Sequence, residues 1–307
     1  MKLLRTLHPA PADAQPTALA IGNFDGLHRG HQALVAAAVA CAPRLEPALM
    51  CFEPLPATLF RPHYPVPRLM GVRDRLQGAR RLGIQRVFMP RFNRAFAALS
   101  PEVFVSRAIV AAARAERVVV GADFRFGARA AGDVDLLQQL GRQHGFAVQV
   151  IEPVRQQDDK ISSSQIRGLL ATGEIAAANA LLGRPYALSG RVLRGQQLGR
   201  RLGFPTVNLR PPVPPALAGV FAVRVSGADF DRTPGVANLG RRPTVAGAEW
   251  LLEVHLFDYQ GELYGRHLQV EFVARLRAEE KFDSLDAMVD QMHRDASRAR
   301  QLLADAA

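Results

Sequence analysis

Gly22-Asn23-Phe24-Asp25-Gly26-Leu27-His28-Arg29-Gly30-His31 directly follows the apolar run Thr17–Ile21. The apolar run predicts a buried strand, and the pattern that begins near His31 predicts a helix. Glycines at such a strand-to-helix turn let backbone N–H groups approach a ligand, and the positive end of the helix points at an anion. His28 and His31 are candidate hydrogen-bond donors to phosphate oxygens. A tight turn with surface histidines is the plain alternative, because short motifs are often accidental.

Outward from that turn, apolar runs alternate with helical patterns through the first half of the chain. The predicted strands are Thr17–Ile21, Ala48–Phe52, Arg86–Pro90, Arg117–Val120 and Ala147–Ile151. The predicted helices are His31–Ala42, Val72–Leu82, Pro101–Ala113, Val134–His144, Gln165–Ala171 and Glu174–Leu182. Ser100 as N-cap and Pro101 at the first helical position are typical of a helix start. The alternation predicts an α/β domain, a parallel sheet with helices on both faces.

The pattern changes after Gly183 and Pro185, which predict a helix end and a domain boundary. The β-like segments beyond them are Leu188–Leu193, Val220–Val225, Leu251–Phe257 and Leu268–Val273. Without helices between them, they predict an antiparallel sheet or a small barrel. The tail from Leu285 to Leu303 has the period of one amphipathic helix, which we expect to pack on the barrel. The fold class is therefore α/β plus β, with residues 1–184 and 185–307 as the two domains.

Two familiar nucleotide motifs are absent from the sequence. No G-K-[ST] occurs, so there is no Walker P-loop, and no two glycines are separated by one residue, so there is no G-x-G-x-x-G. Zinc is not favoured at the histidine turn, because no cysteine or further histidine lies near enough to complete a ligand set. A nucleotide in the first domain would have to be bound in another way.

Two further clusters lie in the first domain. Ser162, Ser163, Ser164 and Arg167 stand where a loop enters a helix. Serines are ordinary N-caps there, yet three hydroxyls and an arginine at a helix start also suit a polyphosphate. Asp123, in a stretch that directly follows a predicted strand, stands where open α/β sheets bind ligands. A plain strand-to-loop turn is the alternative for Asp123.

In this order the three stretches resemble the FMN adenylyltransferase domain of bifunctional bacterial riboflavin kinase/FAD synthetases, a Rossmann-like nucleotidylyltransferase fold. The resemblance implies that His28 and His31 contact ATP phosphates and act in catalysis. The implied ATP-binding residues also include Asn23, Gly22, Gly26, Ser162, Ser163, Ser164 and Arg167. Asp123, Phe52 and Pro54 are implied to border the flavin pocket. The reaction would be in-line attack of the FMN phosphate on the α-phosphorus of ATP, with pyrophosphate leaving.

One departure from the family pattern concerns an arginine. Members often read G-x-G-R-x-G-D, whereas this chain reads Gly127-Ala128-Arg129-Ala130-Ala131-Gly132-Asp133. Arg129 falls one position early, and Ala130 stands where the arginine is usual. Any role of that arginine is therefore open.

The second domain contains a glycine-rich, arginine-bearing stretch, Gly195 to Asn208. Such a loop can cradle phosphates, and Thr206 and Asn208 would offer neutral oxygens to magnesium, with phosphates and waters as the other ligands. A surface hairpin loop is the alternative. Glu253 and His255 lie two residues apart on a predicted strand, so they point to the same face. A lone glutamate on a strand is usually only solvated.

Together with Asn238-Leu239-Gly240-Arg241-Arg242-Pro243-Thr244 and Leu263-Tyr264-Gly265, these stretches resemble the riboflavin kinase module. The resemblance implies a six-stranded antiparallel β-barrel with a C-terminal helix, and Thr206 and Asn208 as Mg²⁺ ligands. Gly195, Gly199 and Arg200 would bind ATP. Glu253 would be the general base that takes the proton from the riboflavin 5′-hydroxyl. The resemblance covers Thr17 to about Leu303.

Composition sets the remaining expectations. The net charge of +11 comes almost entirely from scattered arginines, since lysine occurs only at Lys2, Lys160 and Lys281, which argues against nucleic acid and suits small anionic substrates. Cys41 and Cys51 give no disulfide framework, and the N-terminus lacks the apolar core of a signal peptide. We expect a cytoplasmic enzyme without a membrane or an obligate protein partner. Its substrates would be riboflavin, FMN and ATP.

Two alternatives stay open on the sequence. One is a non-catalytic flavin- or nucleic-acid-binding protein on the same scaffold. Loss of motif residues would have favoured this alternative, and none is lost among His28, His31, Thr206, Asn208 and Glu253. The other is an enzyme with only one activity, or with another substrate. The displaced Arg129 is the only feature of the sequence that supports it.

Overall fold

The computed structural model of the protein describes residues 1–61, 66–194, 203–244 and 247–305. The chain divides into two compact units. Unit 1 comprises Met1–Val66 and Val72–Ser162, and unit 2 comprises Pro67–Gly71 and Ser163–Ala307. In the described ranges no helix is both long and apolar enough to cross a membrane.

Unit 1 is built on a six-stranded sheet. Its strands are β1 Lys2–Leu4, β2 Thr17–Ile21, β3 Glu46–Met50, β4 Arg86–Phe88, β5 Ala115–Gly121 and β6 Ala147–Ile151. They lie in the order β1-β4-β3-β2-β5-β6, and every neighbouring pair is parallel. The predicted parallel sheet is thus confirmed. The edge strand β1 is an addition, since three half-exposed residues carry too little pattern to be recognised.

Helices cover both faces of this sheet. They are α1 Arg29–Val39, α2 Pro56–Phe60, α3 Val72–Arg81, α4 Arg94–Ala97, α5 Pro101–Phe104 and α6 Val134–His144. A π-helix, Val105–Ala112, continues α5, and a short hairpin of β7 Arg155–Gln156 and β8 Asp159–Lys160 follows β6. Helix α1 packs on β2, β3 and β5, while the π-helix and α6 share a core with the opposite face.

The helix starts show why these segments form where they do. The Ser100 hydroxyl accepts a hydrogen bond from the Val103 N–H at 3.3 Å, and Pro101 follows as the first helical residue. Asp133 caps α6 in the same way through the Leu136 N–H, at 3.0 Å. These side chains satisfy backbone donors that the first turn leaves without partners. The predicted N-cap at Ser100 is confirmed.

The strand order locates the ligand crevice of unit 1. From β2 the chain steps to β3 and β4 on one side, and then returns to place β5 on the other side of β2. In open α/β sheets, ligands bind outside the carboxyl ends of the strands at the point where this direction reverses. The turn after β2 and the loop after β5 therefore flank the expected site.

Unit 2 is a closed barrel with helices around it. Two helices lead into it, α7 Ser163–Thr172 and α8 Ile175–Leu182. The strands are β9 Ala187–Leu193, β10 Val207–Leu209, β11 Gly219–Ser226, β12 Thr233–Thr244, β13 Gly247–Leu256 and β14 His267–Arg277. The barrel order is β10-β13-β12-β11-β14-β9, and all its pairs are antiparallel. The final helix, α9 Leu285–Asp305, buries Ala299 and Leu303 against β11 and β14.

The six-stranded antiparallel barrel with a C-terminal helix is therefore confirmed. Strand patterns alone predict four of its six strands and miss β10 and β12. Leu285, the first residue of the predicted amphipathic helix, is 53% exposed, so packing on the barrel does not extend to the first turn of α9.

The helices α7 and α8 group with the barrel rather than with the parallel sheet. Helix α8 packs on β14, and the Asn179 side chain accepts a hydrogen bond from the Tyr186 N–H at 2.7 Å. Gly183 adopts the left-handed conformation that ends α8, as predicted (φ 70°). The compact units divide after Ser162, whereas the sequence predicts the domain boundary at 184/185. The domain boundary at 184/185 stays a prediction.

Candidate active sites

The turn after β2 holds the first group of predicted residues in a constrained backbone. Phe24 and Leu27 both have positive φ, 51° and 45°, which side-chain-bearing residues rarely adopt, and Gly26 between them has φ 91°. Phe24 and Leu27 are buried and anchor the turn, while Asn23 is exposed. Backbone strain of this kind persists where the surroundings fix it, and it clusters at ligand sites.

His28 and His31 are held together at the start of α1. The Nδ1 atom of His28 accepts a hydrogen bond from the His31 backbone N–H at 3.3 Å, so His28 is the N-cap of the helix. The two rings stack with centroids 3.7 Å apart. A Cβ at Gly30 would lie 3.2 Å from the His28 ring, so a larger residue at this position would crowd the ring. With Nδ1 as an acceptor, a neutral His28 carries its ring proton on Nε2.

Electrostatics keep His31 uncharged. Burial, the neighbouring His28 and the Arg75 guanidinium hold the pKa of His31 well below its usual range. The ring is therefore neutral at physiological pH. Its Nδ1 atom is buried and has no hydrogen-bond partner among the residues that the structure describes. The imidazole thus keeps hydrogen-bonding capacity that an incoming ligand can use.

Arg75 joins the turn after β2 to the loop after β3, and sequence reasoning missed it. This side chain of α3 is 1% exposed. Its guanidinium donates to the carbonyl oxygens of Asn23 at 3.0 Å and Phe52 at 3.4 Å, and it is paired with the Glu53 carboxylate. The planar fork of arginine suits this multiple contact. The available signal was an arginine at the spacing of the buried face of α3, next to Ala79.

We expect loss of this arginine to impair the unit 1 site while leaving the barrel intact. Arg75→Met should lower the rate of the reaction carried by unit 1 by about 10- to 100-fold, because loop shifts near 1 Å cost that much. Arg75→Lys, which keeps the charge but loses the fork, should recover part of the rate. Arg73→Met, an exposed arginine of the same helix, is the matched control. Full activity of Arg75→Met with an unchanged melting temperature would contradict this role.

Seven phenylalanine rings form a continuous apolar layer at this end of the sheet. Neighbouring ring centroids lie 5.5 to 6.1 Å apart, and the layer consists of Phe52, Phe60, Phe92, Phe96, Phe104, Phe124 and Phe126. Phe52 also precedes Pro54, which follows a cis peptide bond. Phe60 is 67% exposed at one end of the layer. Phe52, Phe104 and Phe126 are buried in the core of unit 1, so only the less buried rings of the layer can meet a flat, largely apolar ligand.

The loop after β5 carries Asp123, which is paired with Lys160 of β8. The hydrogen bond from Lys160 holds the pKa of Asp123 below its usual range, so this carboxylate is charged. The displaced Arg129 is exposed and has a positive φ of 55°, as does Ala130 beside it, at 57°. The structure gives Arg129 no assigned function.

The serine cluster is divided between the two units. Ser162 ends unit 1, and Ser163, Ser164 and Arg167 lie in the first turns of α7 in unit 2. The predicted entry of a loop into a helix is confirmed at this point. Because the cluster spans the two units, its contact with the same ligand as His28 stays a prediction.

The barrel brings together the predicted residues of the second domain. Glu253 of β13 lies directly opposite Asn208 of β10 in the strand register. Leu252 and Val254 are buried, whereas Glu253 and His255 are half-buried, which confirms that the latter two share a face. Gly195, Gly199 and Arg200 lie outside the described residues. Asn208, a predicted Mg²⁺ ligand, and Glu253, the predicted base, are thus neighbours.

His255 holds the segment that contains Thr206. Its Nδ1 atom lies 2.8 Å from the Pro205 carbonyl oxygen and, facing an acceptor, donates its proton. The buried Phe204 ring packs edge-on against His255 and against His293 of α9, with centroids 5.2 and 4.7 Å apart. Thr206 follows directly, so its backbone is fixed from both sides.

Glu253 also has a basic neighbour that sequence reasoning did not single out. Arg242 of β12 donates a hydrogen bond to the Glu253 carboxylate at 2.5 Å. This contact, with smaller contributions from the charges of Glu253 and Glu279, raises the pKa of Arg242 above its usual value. The sequence did contain a clue to this contact, because Arg242 belongs to the Asn238–Thr244 stretch that resembles the riboflavin kinase module.

Thr206 stands between two cavities. One, of about 420 Å³, is lined by Pro205, Thr206, Val207, Leu256, Tyr259, Gly261, Glu262, Leu263 and Tyr264. The other, of about 320 Å³, contains Glu253 and Thr206, together with apolar side chains of α9 such as Met288 and Met292. A hydroxyl shared by two cavities beside a carboxylate is an arrangement that accommodates two substrates.

Comparisons with known proteins cover both units. A sequence model of the FAD synthetase family matches residues 10–165, and one of the riboflavin kinase family matches residues 182–303. The bifunctional riboflavin kinase/FMN adenylyltransferase of Escherichia coli (strain K12) is 43% identical over 306 residues, covering 98% of this chain and 97% of its own. The protein of the same name from Pseudomonas fluorescens is 41% identical, covering 100% and 99%. That of Haemophilus influenzae is 38% identical, covering 98% of each chain.

A solved structure supports the whole fold. It is titled a macrolide-efflux protein from Streptococcus pneumoniae, is 28% identical and covers 98% of this chain and 99% of its own, with a TM-score of 0.83. Both units therefore match one solved chain from end to end.

Proposed function

The chain belongs to the family of bifunctional riboflavin kinase/FMN adenylyltransferases, and we propose which of its residues carry each reaction. It phosphorylates riboflavin with ATP to give FMN, and it adenylylates FMN with a second ATP to give FAD and pyrophosphate. ATP is the co-substrate of both steps. The region matched by the FAD synthetase model carries adenylyl transfer, and the barrel carries the kinase.

For adenylyl transfer, His28 and His31 donate hydrogen bonds to the ATP phosphates at the N-terminus of α1. The neutral ring of His31 keeps one N–H donor, and the turn from Gly22 to Gly26 places the exposed Asn23 side chain close to the same helix N-terminus. The FMN phosphate oxygen attacks the α-phosphorus in line, and the bond to the pyrophosphate oxygen breaks. This chemistry needs positioning and charge stabilisation rather than a covalent protein intermediate.

The FMN ring lies on the phenylalanine layer. Phe52 and Pro54 would border it on the β3 side, and Asp123 would border the pocket after β5. The partly exposed rings of Phe92, which follows β4, and Phe124, which follows β5, support this assignment, since flat aromatic ligands stack on such rings. Ser162, Ser163, Ser164 and Arg167 would hold the triphosphate, which the start of α7 supports because the positive end of a helix dipole attracts an anion.

For the kinase reaction, Glu253 accepts the proton of the riboflavin 5′-hydroxyl as its oxygen attacks the γ-phosphorus of ATP. The bond between that phosphorus and the ADP oxygen then breaks. The 320 Å³ cavity, with its apolar side chains, supports the binding of riboflavin beside Glu253. The larger cavity across Thr206 is assigned to ATP. Gly195, Gly199 and Arg200 are proposed to bind the ATP phosphates.

Magnesium fits the pair Thr206 and Asn208. The Asn208 Oδ1 atom is buried and has no hydrogen-bond partner within the described ranges, so a cation would satisfy it. No group of three or more His, Cys, Asp or Glu side chains suited to a metal occurs among the described residues. When bound, Mg²⁺ neutralises phosphate charge. Both reactions consume ATP, which supports a cytoplasmic site of action.

The decisive measurement is chromatography of the products from purified protein given riboflavin, ATP and Mg²⁺. Accumulation of FAD requires both sites, whereas FMN alone indicates one working site. If neither product appears, the assignment fails. Repeating the assay with FMN as the first substrate isolates the adenylyl-transfer step.

The two activities should come apart when the chain is divided. We expect a fragment of residues 184–307 to make FMN but no FAD, because it carries Thr206, Asn208 and Glu253. A fragment of residues 163–307 should melt at a higher temperature, since α7 and α8 bury Ile166, Leu170 and Leu181. Circular dichroism and the kinase assay check both fragments. A well-folded longer fragment without kinase activity would mean that the kinase site needs unit 1.

A further inference from the structure

Asn238 of β12 lies directly opposite Glu253, on the side away from Asn208. Residues directly opposite each other in neighbouring antiparallel strands point to the same face, with Cβ atoms about 5 Å apart. The carboxylate of Glu253 therefore stands between two amide side chains. One of them, Asn208, has a proposed ligand, while Asn238 has none so far.

The Asn238 side chain has an acceptor that the protein does not use. Its Oδ1 atom is buried, and it has no hydrogen-bond partner among the residues that the structure describes. Buried polar atoms in folded proteins are almost always satisfied, so an orphan beside a site points to a ligand donor. Arg242, a possible donor that lines the same cavity, is already engaged by Glu253.

The position of Asn238 identifies the ligand. Asn238 lines the 320 Å³ cavity together with Glu253 and Thr206, whereas Asn208 does not line it. The same cavity is bounded by the apolar side chains Val220, Phe282, Met288 and Met292. A ligand with an apolar ring and a chain of hydroxyls matches this combination, and riboflavin is such a molecule.

We propose that Asn238 Oδ1 accepts a hydrogen bond from a secondary hydroxyl of the riboflavin ribityl chain and thereby turns the 5′-hydroxyl toward Glu253. This inference rests on the proposed role of Glu253. Asn238 transfers no proton and binds no metal. It discriminates a hydroxylated side chain from one that lacks the bonded hydroxyl, because a missing donor leaves the buried acceptor unpaired.

The test uses the full-length protein and four kinase substrates: riboflavin and its 2′-, 3′- and 4′-deoxyribityl analogues. Asn238→Leu keeps the approximate size of the side chain and removes the acceptor, while Asn238→Asp keeps an acceptor. Gln269→Leu, an amide on β14 that does not line the cavity, is the matched control. Circular dichroism and FAD formation from added FMN report on folding.

We expect Asn238→Leu to lower kcat/KM for riboflavin roughly 10- to 100-fold and to change it less than about 3-fold for the one analogue that lacks the bonded hydroxyl. Asn238→Asp should recover part of the loss. An equal loss with all four substrates would overturn the proposal, as would unchanged kinetics. A raised Mg²⁺ requirement with an unchanged KM for riboflavin would also overturn it, by making Asn238 a metal ligand.

The test of Asn238 can be interpreted independently of the proposed role of Glu253. If Glu253 is not the base, Glu253→Gln turns over normally, while the comparison among the four substrates still reports on Asn238. If Asn238→Leu does not fold, the ratio of riboflavin to deoxy-analogue activity in Asn238→Ala, a smaller substitution that also removes the acceptor, compared with wild type, carries the test. An unchanged ratio there would count against the hydrogen bond.

Discussion

Replacing His28 with asparagine should abolish most FAD formation and leave FMN formation near the wild-type rate. Asparagine is a good N-cap, so His28→Asn keeps the acceptor that starts α1 but loses the ring donor. Loss of one donor to a transition-state phosphate is expected to cost roughly 10²- to 10³-fold in rate. Adenylyl transfer from ATP to added FMN is the measurement.

His31→Ala should give a loss of the same order, because both rings face the same phosphates in the proposed complex. His28→Ala should melt at a lower temperature than His28→Asn, since alanine removes the cap as well, at a cost of about 1 kcal/mol. His8→Ala, an exposed histidine of the same unit, is the control. Near-normal FAD formation in the double variant His28→Asn, His31→Ala would rule out the proposed role.

Glu253→Gln should stop riboflavin phosphorylation and leave FAD formation from added FMN unchanged. The amide keeps the shape of the side chain but cannot accept the proton, and a general base is typically worth about 10²- to 10⁴-fold in rate. The kinase assay with riboflavin and magnesium-ATP measures the effect directly. The unchanged second activity of the same molecule shows that the protein is folded.

The control for this variant is Glu249→Gln. Glu249 lies on the same strand, forms a surface ion pair with Arg210 at 2.6 Å and does not line the cavity. Loss of that pair is expected to change stability by about 1 kcal/mol or less. Normal turnover of Glu253→Gln would mean that another group takes the proton and that the base is misidentified.

The sequence predicts those strands and helices whose local residue pattern matches the secondary structure and burial that they have in the folded protein. Thr17–Ile21 is apolar after its first residue and fully buried, as expected of a strand covered on both faces, and helix α6 has both its residue pattern and its caps in the sequence. Strand β12 is different. It contains Pro234, Gly235 and Gly240, residues that disfavour strands, and it is held by ladders to β11 on one side and β13 on the other.

The same reasoning separates the site residues that were found from those that were missed. His28, His31 and Glu253 belong to stretches with a recognisable order, so the resemblance supplies their roles. Arg75 acts through three groups that lie 22 to 52 positions away in sequence, and no local pattern reveals such contacts. The orphan acceptor of Asn238 is likewise a property of the assembled barrel. The π-helix after Phe104 is not distinguishable by spacing from the continuous α-helix that was predicted.

The two sites differ in what keeps their residues at the right separation. This difference affects how well each site tolerates random substitutions. Asn208, Glu253 and Asn238 sit on three strands of a closed barrel, where many backbone hydrogen bonds fix their separation regardless of side-chain identity. In unit 1, one buried guanidinium holds two loops together. Random substitution should therefore remove FAD synthesis more readily than FMN synthesis, and descendants of such a gene would more often retain the kinase alone.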